Sequence, residues 1–201
     1  MPEKTPKWVV EAEKTIRKAI LEIDDSIASE IYVLSFLLDC PDDELRRSSA
    51  VFGFNTESQF QKANPDSTLK GRKAYDADEA KWNYAFWVQN ELSVIGGDDL
   101  EFQKWVQQLP GYCTQEQEEK AKGKERKEIE KNIARIHDTF IEMMLPIIKK
   151  LHEDGTILKK FGRDIPMIFH ELEYFSLTIK WAKATNPDGQ AKDFIHWIKT
   201  M

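Results

Sequence analysis

A short block in the middle of the chain, residues 81–87, places four large aromatic side chains within six residues. Burying one such ring contributes about 1.5–3 kcal/mol, so a soluble chain rarely leaves several of them exposed. The block is therefore the centre of a hydrophobic core, or partly core and partly the anchor of a binding surface. We expect at least two of the four rings to be buried, and we take Trp82 and Trp87 as candidate binding anchors.

The composition is that of an ordinary globular protein, with 41% hydrophobic and 11% aromatic residues in a chain of 201. The first residues lack the apolar core of a signal peptide, and apolar stretches such as 32–38 are far shorter than the ~18 residues of a membrane span. We expect a single cytoplasmic domain over residues 1–201 that contacts no membrane. Cys40 and Cys113 lie far apart without CxxC spacing, so we expect neither a disulfide framework nor a zinc site, and no cofactor.

Negative charge is concentrated in the first half of the chain. Residues 1–113 carry 13 basic and 20 acidic side chains, whereas residues 114–201 carry 16 and 15. The acids gather in clusters at 39–44, 76–79 and 98–101. Nucleic-acid binding needs a positive face, so we expect no such partner, whereas a basic protein would be attracted.

The first acidic cluster supplies the candidate binding residues Asp42, Asp43 and Glu44. Acids of this kind also fit ordinary solvated loops, which is the alternative interpretation of each cluster. Exposed charges contribute little to folding, so we expect all three to be dispensable for stability.

Hydrophobic spacing predicts a helix followed by two strands at the start of the chain. Thr5 as N-cap and Pro6 at the first helical position predict a helix start, and apolar residues then recur at intervals of three and four through Ile23. Residues 31–38 are nearly continuously apolar and rich in β-branched and aromatic types, which predicts a strand covered on both faces. Residues 49–55 are its expected hairpin partner.

The middle of the chain is less clearly patterned. Thr56 and Gln59 have capping-box spacing and predict a short helix. Residues 78–92 fit both a helical face and strand alternation, and we favour helix at their start. Gly96 and the glycine after it predict a break, and residues 100–109 a short amphipathic helix.

The clearest period in the chain is an apolar stripe running from 129 to 151 at helical spacing. Pro146 lies inside it and should kink the helix, and Gly155 should close it. Packing of the stripe on the domain's own sheet is favoured over a coiled coil with a partner. The charged segment before it, about 114–131, is interpreted as an exposed loop leading into the helix, with a linker between two domains as the alternative.

Residues 164–173 then predict another strand, followed by two helices. The order of elements indicates an α+β fold, with a small, mostly antiparallel sheet packed against several helices, including one long kinked helix.

These elements resemble those of a bacterial family called domain of unknown function 4303. The resemblance rests on the helix and strand pair, the aromatic block 81–87, the long helix ending near Gly155, the following strand and the segment 181–187, and so covers most of the chain. Its motifs are short and aromatic. The resemblance implies no enzymatic activity; families of this kind often accompany contact-dependent toxins, which implies an immunity-protein role. The charged segment 114–131 departs from the family's pattern as an insertion.

No catalytic or metal-binding motif is visible. His170 and Glu171 begin as HExxH motifs do, but the position of the second histidine holds Tyr174. In a strand, the imidazole of His170 would face away from Glu171 and Glu173. We therefore assign no catalytic residue and no metal ligand.

Two functional classes are compatible with these observations. The first is a non-catalytic binding protein, such as an immunity-like inhibitor of a bacterial toxin, that uses an acidic surface with aromatic anchors. The alternative is an enzyme whose site assembles from dispersed residues such as Asp164, His170, Glu171 and Glu173. We favour the binding protein, because no catalytic motif is visible.

Overall fold

The computed structural model describes residues 5–174 and 176–201. Over these residues the chain forms an α+β fold, confirming the predicted class. The helices are α1 (Lys7–Glu22), α2 (Asp25–Ala28), α3 (Glu57–Ala63), α4 (Ala77–Trp82), α5 (Leu100–Val106), α6 (Gln115–Lys120), α7 (Gly123–Glu153), α8 (Thr156–Phe161), α9 (Ser176–Thr185) and α10 (Lys192–Thr200). The strands are β1 (Ile31–Asp39), β2 (Ser49–Thr56), β3 (Ser93–Gly96) and β4 (Met167–His170). Short 3₁₀ turns occupy Pro41–Asp43, Leu45–Arg47 and Tyr84–Phe86.

The four strands form one sheet in the order β3-β2-β1-β4. Strand β2 is antiparallel to both β1 and β3, and β4 is parallel to β1. The sheet is therefore mostly antiparallel, and the predicted hairpin of β1 and β2 is confirmed. Strand β3 was not predicted, since four residues are too few to show a period.

Both faces of the sheet are covered. On one face, Leu34, Phe36 and Leu38 pack into a large core with residues of α1, α5 and α7. On the other face, Val33 and Ile168 pack with Trp82, Phe194 and other residues of the flanking helices in a second core. Strand β1 is thus buried between two helical layers, as its continuous apolar run predicted.

The long helix α7 has 31 residues and is about 46 Å long. Phe140 and Ile147 are 0% and 4% exposed, so the apolar stripe faces the protein's own core as expected. The helix continues through Pro146, where a kink remains a prediction. Gly155 follows the C-cap with a φ of 75°, in the left-handed region, which confirms its role in ending the helix.

The charged segment 114–131 is mostly helical, so the predicted loop is wrong. Helix α6 begins with a capping box of Thr114 and Gln117, and α7 already starts at Gly123. Opposite charges at i and i+4 explain the difference: Glu116 pairs with Lys120, and a second such pair lies in α7. Such pairs support a helix that has no apolar stripe.

The remaining differences concern the ends of elements. Helix α1 begins at Lys7 with Pro6 as its N-cap, so the predicted cap Thr5 lies outside it. Thr56 accepts the backbone N–H of Gln59 as predicted, but the Gln59 side chain donates to the Phe86 carbonyl oxygen instead of completing the capping box.

The predicted strand 164–173 is shorter than expected. Strand β4 covers only Met167–His170 and pairs with β1 over those residues alone. Glu171 and Glu173 lie beyond its end, although the neighbouring strand β1 continues to Asp39.

Candidate functional site

The strand directions bring acidic segments from three parts of the chain to one edge of the sheet. Strands β1, β3 and β4 run in the same direction and β2 in the opposite one. The carboxyl ends of three strands and the start of β2 therefore meet. We call residues 39–48, 98–99 and 171–173 the acidic edge. These segments hold eight carboxylates and two guanidinium groups. Strand order thus unites two of the sequence's acidic clusters with the acids that follow β4.

Most of these carboxylates are not neutralised by the protein itself. Within the part of the chain that the structure describes, Asp39, Asp43, Asp99, Glu171 and Glu173 form no ion pair. Glu171 is half-buried and the other four are exposed. Burial, and then the negative charge of Glu173, raise the pKa of the Glu171 carboxyl. The edge therefore keeps a negative field that faces solvent.

Arg47 shows how the acidic edge holds a guanidinium group. Its Nη1 lies 3.0 Å from Oδ2 of Asp42, and its Nη2 lies 2.7 Å from Oδ2 of Asp98. Both carboxylates are well exposed, at 88% and 74% of their side-chain surface. One arginine thus joins the acids that follow β1 to those that follow β3.

Arg46 forms a different and more buried network. Only 8% of its side chain is exposed; its Nε donates to Oε1 of Glu44 over 2.7 Å, and its Nη2 donates to Oε2 of Glu118 over 2.7 Å. Its Nη1 also donates to the carbonyl oxygen of Cys113. Glu44 is therefore part of the folded scaffold, and the expectation that it behaves like the exposed Asp42 and Asp43 is wrong.

The aromatic block is core, as expected for at least two of its rings. Trp82 and Trp87 are each 4% exposed and Phe86 is 7% exposed, whereas Tyr84 is partly exposed. The indole of Trp87 donates to the carbonyl oxygen of Lys81 over 2.8 Å. Both rings are enclosed in the second core, so the prediction of Trp82 and Trp87 as binding anchors is wrong.

His170 lies fully buried at the end of β4, beneath aromatic rings. Its Nδ1 is 2.8 Å from the carbonyl oxygen of Glu171, to which it donates, so Nε2 accepts from the Ser35 hydroxyl 2.9 Å away. The ring centroids of Tyr84, Trp87 and Tyr174 lie 5.1–5.8 Å from the imidazole. This is a core histidine whose two ring nitrogens both have hydrogen-bond partners.

The dispersed acids proposed for an enzyme do not come together. Asp164 precedes β4, where its Oδ1 lies 3.8 Å from Nδ1 of the buried His152. His170 lies at the other end of the same strand. Glu171 and Glu173 belong to the acidic edge, while the imidazole of His170 points into the core. The structure therefore gives these four residues no shared site.

The structure also brings together Cys40, Ser48 and His137, a group that the sequence did not reveal. The Ser48 hydroxyl donates to the Leu45 carbonyl oxygen over 2.6 Å and lies 2.8 Å from Nδ1 of His137, whose N–H it accepts. The Cys40 Sγ lies 3.6 Å from the same nitrogen. Burial raises the pKa of the Cys40 thiol and lowers the pKa of His137, so burial favours the neutral form of both groups.

Among the described residues, no group of three or more His, Cys, Asp or Glu side chains is arranged to hold a metal ion. No helix in those same ranges is both long and apolar enough to cross a membrane. No known protein family, curated protein or solved structure matches the chain. The resemblance to domain of unknown function 4303 therefore remains a hypothesis.

The burial of His170 predicts a specific pH dependence of stability. Desolvation lowers the pKa of His170 to about 4, below its ordinary value of 6.5. The unfolded chain therefore binds this proton at a higher pH than the folded chain, and stability falls as the pH drops from about 6.5 to about 4. The loss attributable to His170 is about 3 kcal/mol over that window.

Urea unfolding at pH 7.5 and pH 4.5 measures this effect. In His170→Gln, the difference between the two pH values should shrink relative to the wild type, because the buried titrating group is gone. His196→Gln removes an exposed histidine and should leave the difference unchanged. Equal pH dependence in wild type and His170→Gln would contradict the prediction.

Proposed function

We propose that this chain is a non-catalytic binding protein that captures a basic protein through its acidic edge. The observation that carries the proposal is the convergence of Asp39, Asp43, Glu171 and Glu173 at one end of the sheet, without ion pairs to any of the described residues. Together with the family resemblance, this supports an immunity-like inhibitor of a bacterial toxin, acting in the cytoplasm.

Long-range attraction is the physical basis of the proposal. Unpaired carboxylates on one face create a field that steers a positively charged partner and raises its association rate. An interface also needs apolar contact, which the buried tryptophans do not supply. Leu172 lies between the two glutamates of the third acidic segment and is 72% exposed, so it provides an apolar contact within the edge.

Arg47 competes with the partner in this proposal. Its guanidinium forms ion pairs with Asp42 and Asp98, as an arginine of a basic partner would. Removing it adds one unit of negative charge to the edge and leaves both carboxylates open. The proposal thus predicts opposite effects for the loss of an acid and the loss of this arginine.

The experiment is a pull-down from the source cell followed by association kinetics at low and high salt. Neutralising Asp42, Asp43 and Glu171 as Asn, Asn and Gln should slow association about tenfold at low salt, whereas Arg47→Met should accelerate it. Asn is chosen because Asp42 and Asp43 have φ values of 59° and 58°, which Asn tolerates well.

The control removes the same number of charges elsewhere, with Asp66→Asn, Glu119→Gln and Glu128→Gln. These exposed acids lie outside the edge, so the control should retain most of the wild-type rate. The proposal would be overturned if the association rate of the partner changed neither on neutralisation of the acids nor with the salt concentration.

A further inference from the structure

A groove runs along one flank of α1, beside the edge strand β3. Two cavities of about 290 and 70 Å³ lie in it and share Thr15 of α1, and both are lined on the other side by residues of β3 or the residue before it. A third cavity, at the start of α1, shares Glu11 with the second. From Pro6 to Ile23 the groove is about 26 Å long, which is room for about eight residues of extended chain.

The backbone of β3 is unpaired on the side of the groove. Across residues 5–174 and 176–201, β3 ends the sheet and pairs only with β2. Gly97 donates its N–H to the Ser48 carbonyl oxygen of the segment before β2, and backbone groups alternate in direction along a strand. The N–H and C=O of Val94 therefore face away from β2, and its side chain is 45% exposed.

Two polar side chains in the groove lack hydrogen-bond partners among the described residues. Trp8 is only 3% exposed and lines the second cavity, and its indole Nε1–H is buried without an acceptor. Ser93 lines the first cavity, and its hydroxyl is likewise buried and unpaired. Buried donors without acceptors are costly, so their presence along an open strand edge points to a missing acceptor.

Most charges along the rim are paired. Lys7 pairs with Glu101, Lys14 with Glu11, and Lys18 with Glu22, and the Asp99 carboxylate accepts backbone N–H groups at the start of α5. A rim that is so nearly balanced offers little attraction to a strongly charged segment. The unpaired groups on the floor are instead suited to peptide carbonyl and N–H groups.

We propose that this groove receives an uncharged, extended segment of a partner protein, which adds to β3 as a further strand. Val94 supplies the backbone hydrogen bonds of strand addition, and the Trp8 indole and Ser93 hydroxyl bind carbonyl oxygens of the incoming segment. Leu92 and Val94, at 36% and 45% exposure, provide apolar contacts for alternate side chains. This surface shares Asp99 with the acidic edge, but strand addition to β3 does not depend on the function of that edge.

The probe for the test is a phage-displayed library of random peptides of about ten residues, long enough to fill the groove. After selection on the wild-type chain, the enriched peptide is synthesised and its affinity measured by titration calorimetry. Val94→Pro removes the outward N–H at an edge position that tolerates proline, and should weaken binding at least about tenfold. Val94→Thr keeps the backbone N–H and is the matched control, with an expected loss of less than about threefold.

Thr15→Trp fills the groove from α1 without changing β3 and should also abolish binding. Neutralising the acidic edge and raising the salt should leave the affinity unchanged, which distinguishes this site from the proposed toxin-binding face. Failure to enrich any peptide, or equal binding by wild type and Val94→Pro, would overturn the proposal. If analytical sedimentation showed a dimer and Val94→Pro dissociated it, the occupant of the groove would be a second copy of this chain, and the proposal of a partner protein would be overturned.

Discussion

Trp82→Ala is expected to lower the free energy of unfolding by about 3–5 kcal/mol, the range for truncating a large buried aromatic side chain. Trp82 lies in the second core, with ring centroids 5.9 Å from Tyr32 and 5.8 Å from Phe194, both in edge-to-face geometry. The truncation removes the apolar burial of the indole and leaves a cavity between α4, the sheet and α10.

Urea titration followed by circular dichroism measures this loss. Tyr75→Ala is the control, because Tyr75 is 92% exposed and its truncation should change stability little. If the two substitutions lowered the free energy of unfolding equally, Trp82 would not be a core residue, and the prediction of a surface anchor would again be favoured.

Arg46→Met is expected to lower the free energy of unfolding by about 3 kcal/mol, the low end of the range for breaking a buried ion pair. The guanidinium of Arg46 is buried between Glu44 and Glu118, which are 20% and 25% exposed. Removing it leaves two partly buried carboxylates without a counterion and close to each other. The link between α6 and the turn before β2 would also be lost.

Arg47→Met is the matched control, because it is the same substitution at the neighbouring residue. The partners of Arg47 are exposed carboxylates that water solvates once the arginine is gone, so its loss should change stability little. The same variant should bind a basic partner faster. Equal destabilisation by the two substitutions would contradict the distinction between a structural and a surface arginine.

Local pattern in the sequence predicted several parts of this fold correctly. The alternation and continuity of apolar residues placed β1 and β2, and the stripe through Phe140 and Ile147 placed α7 with its inward face. The density of aromatic residues correctly indicated a core at Trp82 and Trp87. These features depend on interactions between residues close in the chain, or on the average tendency of apolar surface to leave water.

Other parts of the fold were predicted wrongly, because the same local pattern of residues fits more than one structure. A segment of mixed charge fits a loop, yet the capping box at Thr114 and ion pairs such as Glu116 with Lys120 support a helix. Strand β3 spans only Ser93–Gly96 and is held by its pairing with β2. It also requires Gly96, where a Cβ would lie 2.5 Å from the Ser48 carbonyl oxygen.

The candidate sites were decided by tertiary structure alone. Asp43 and Glu171 share an edge only because β1 and β4 are parallel neighbours, and Glu44 is withdrawn from the surface only because Arg46 lies buried beside it. The groove beside Trp8 exists only because β3 ends the sheet near α1. The sequence determined most of the helix, strand and core segments, since these follow from short-range periodicity and apolar burial. Strand order and direction determined which distant side chains meet, because no periodicity within one segment encodes the position of another.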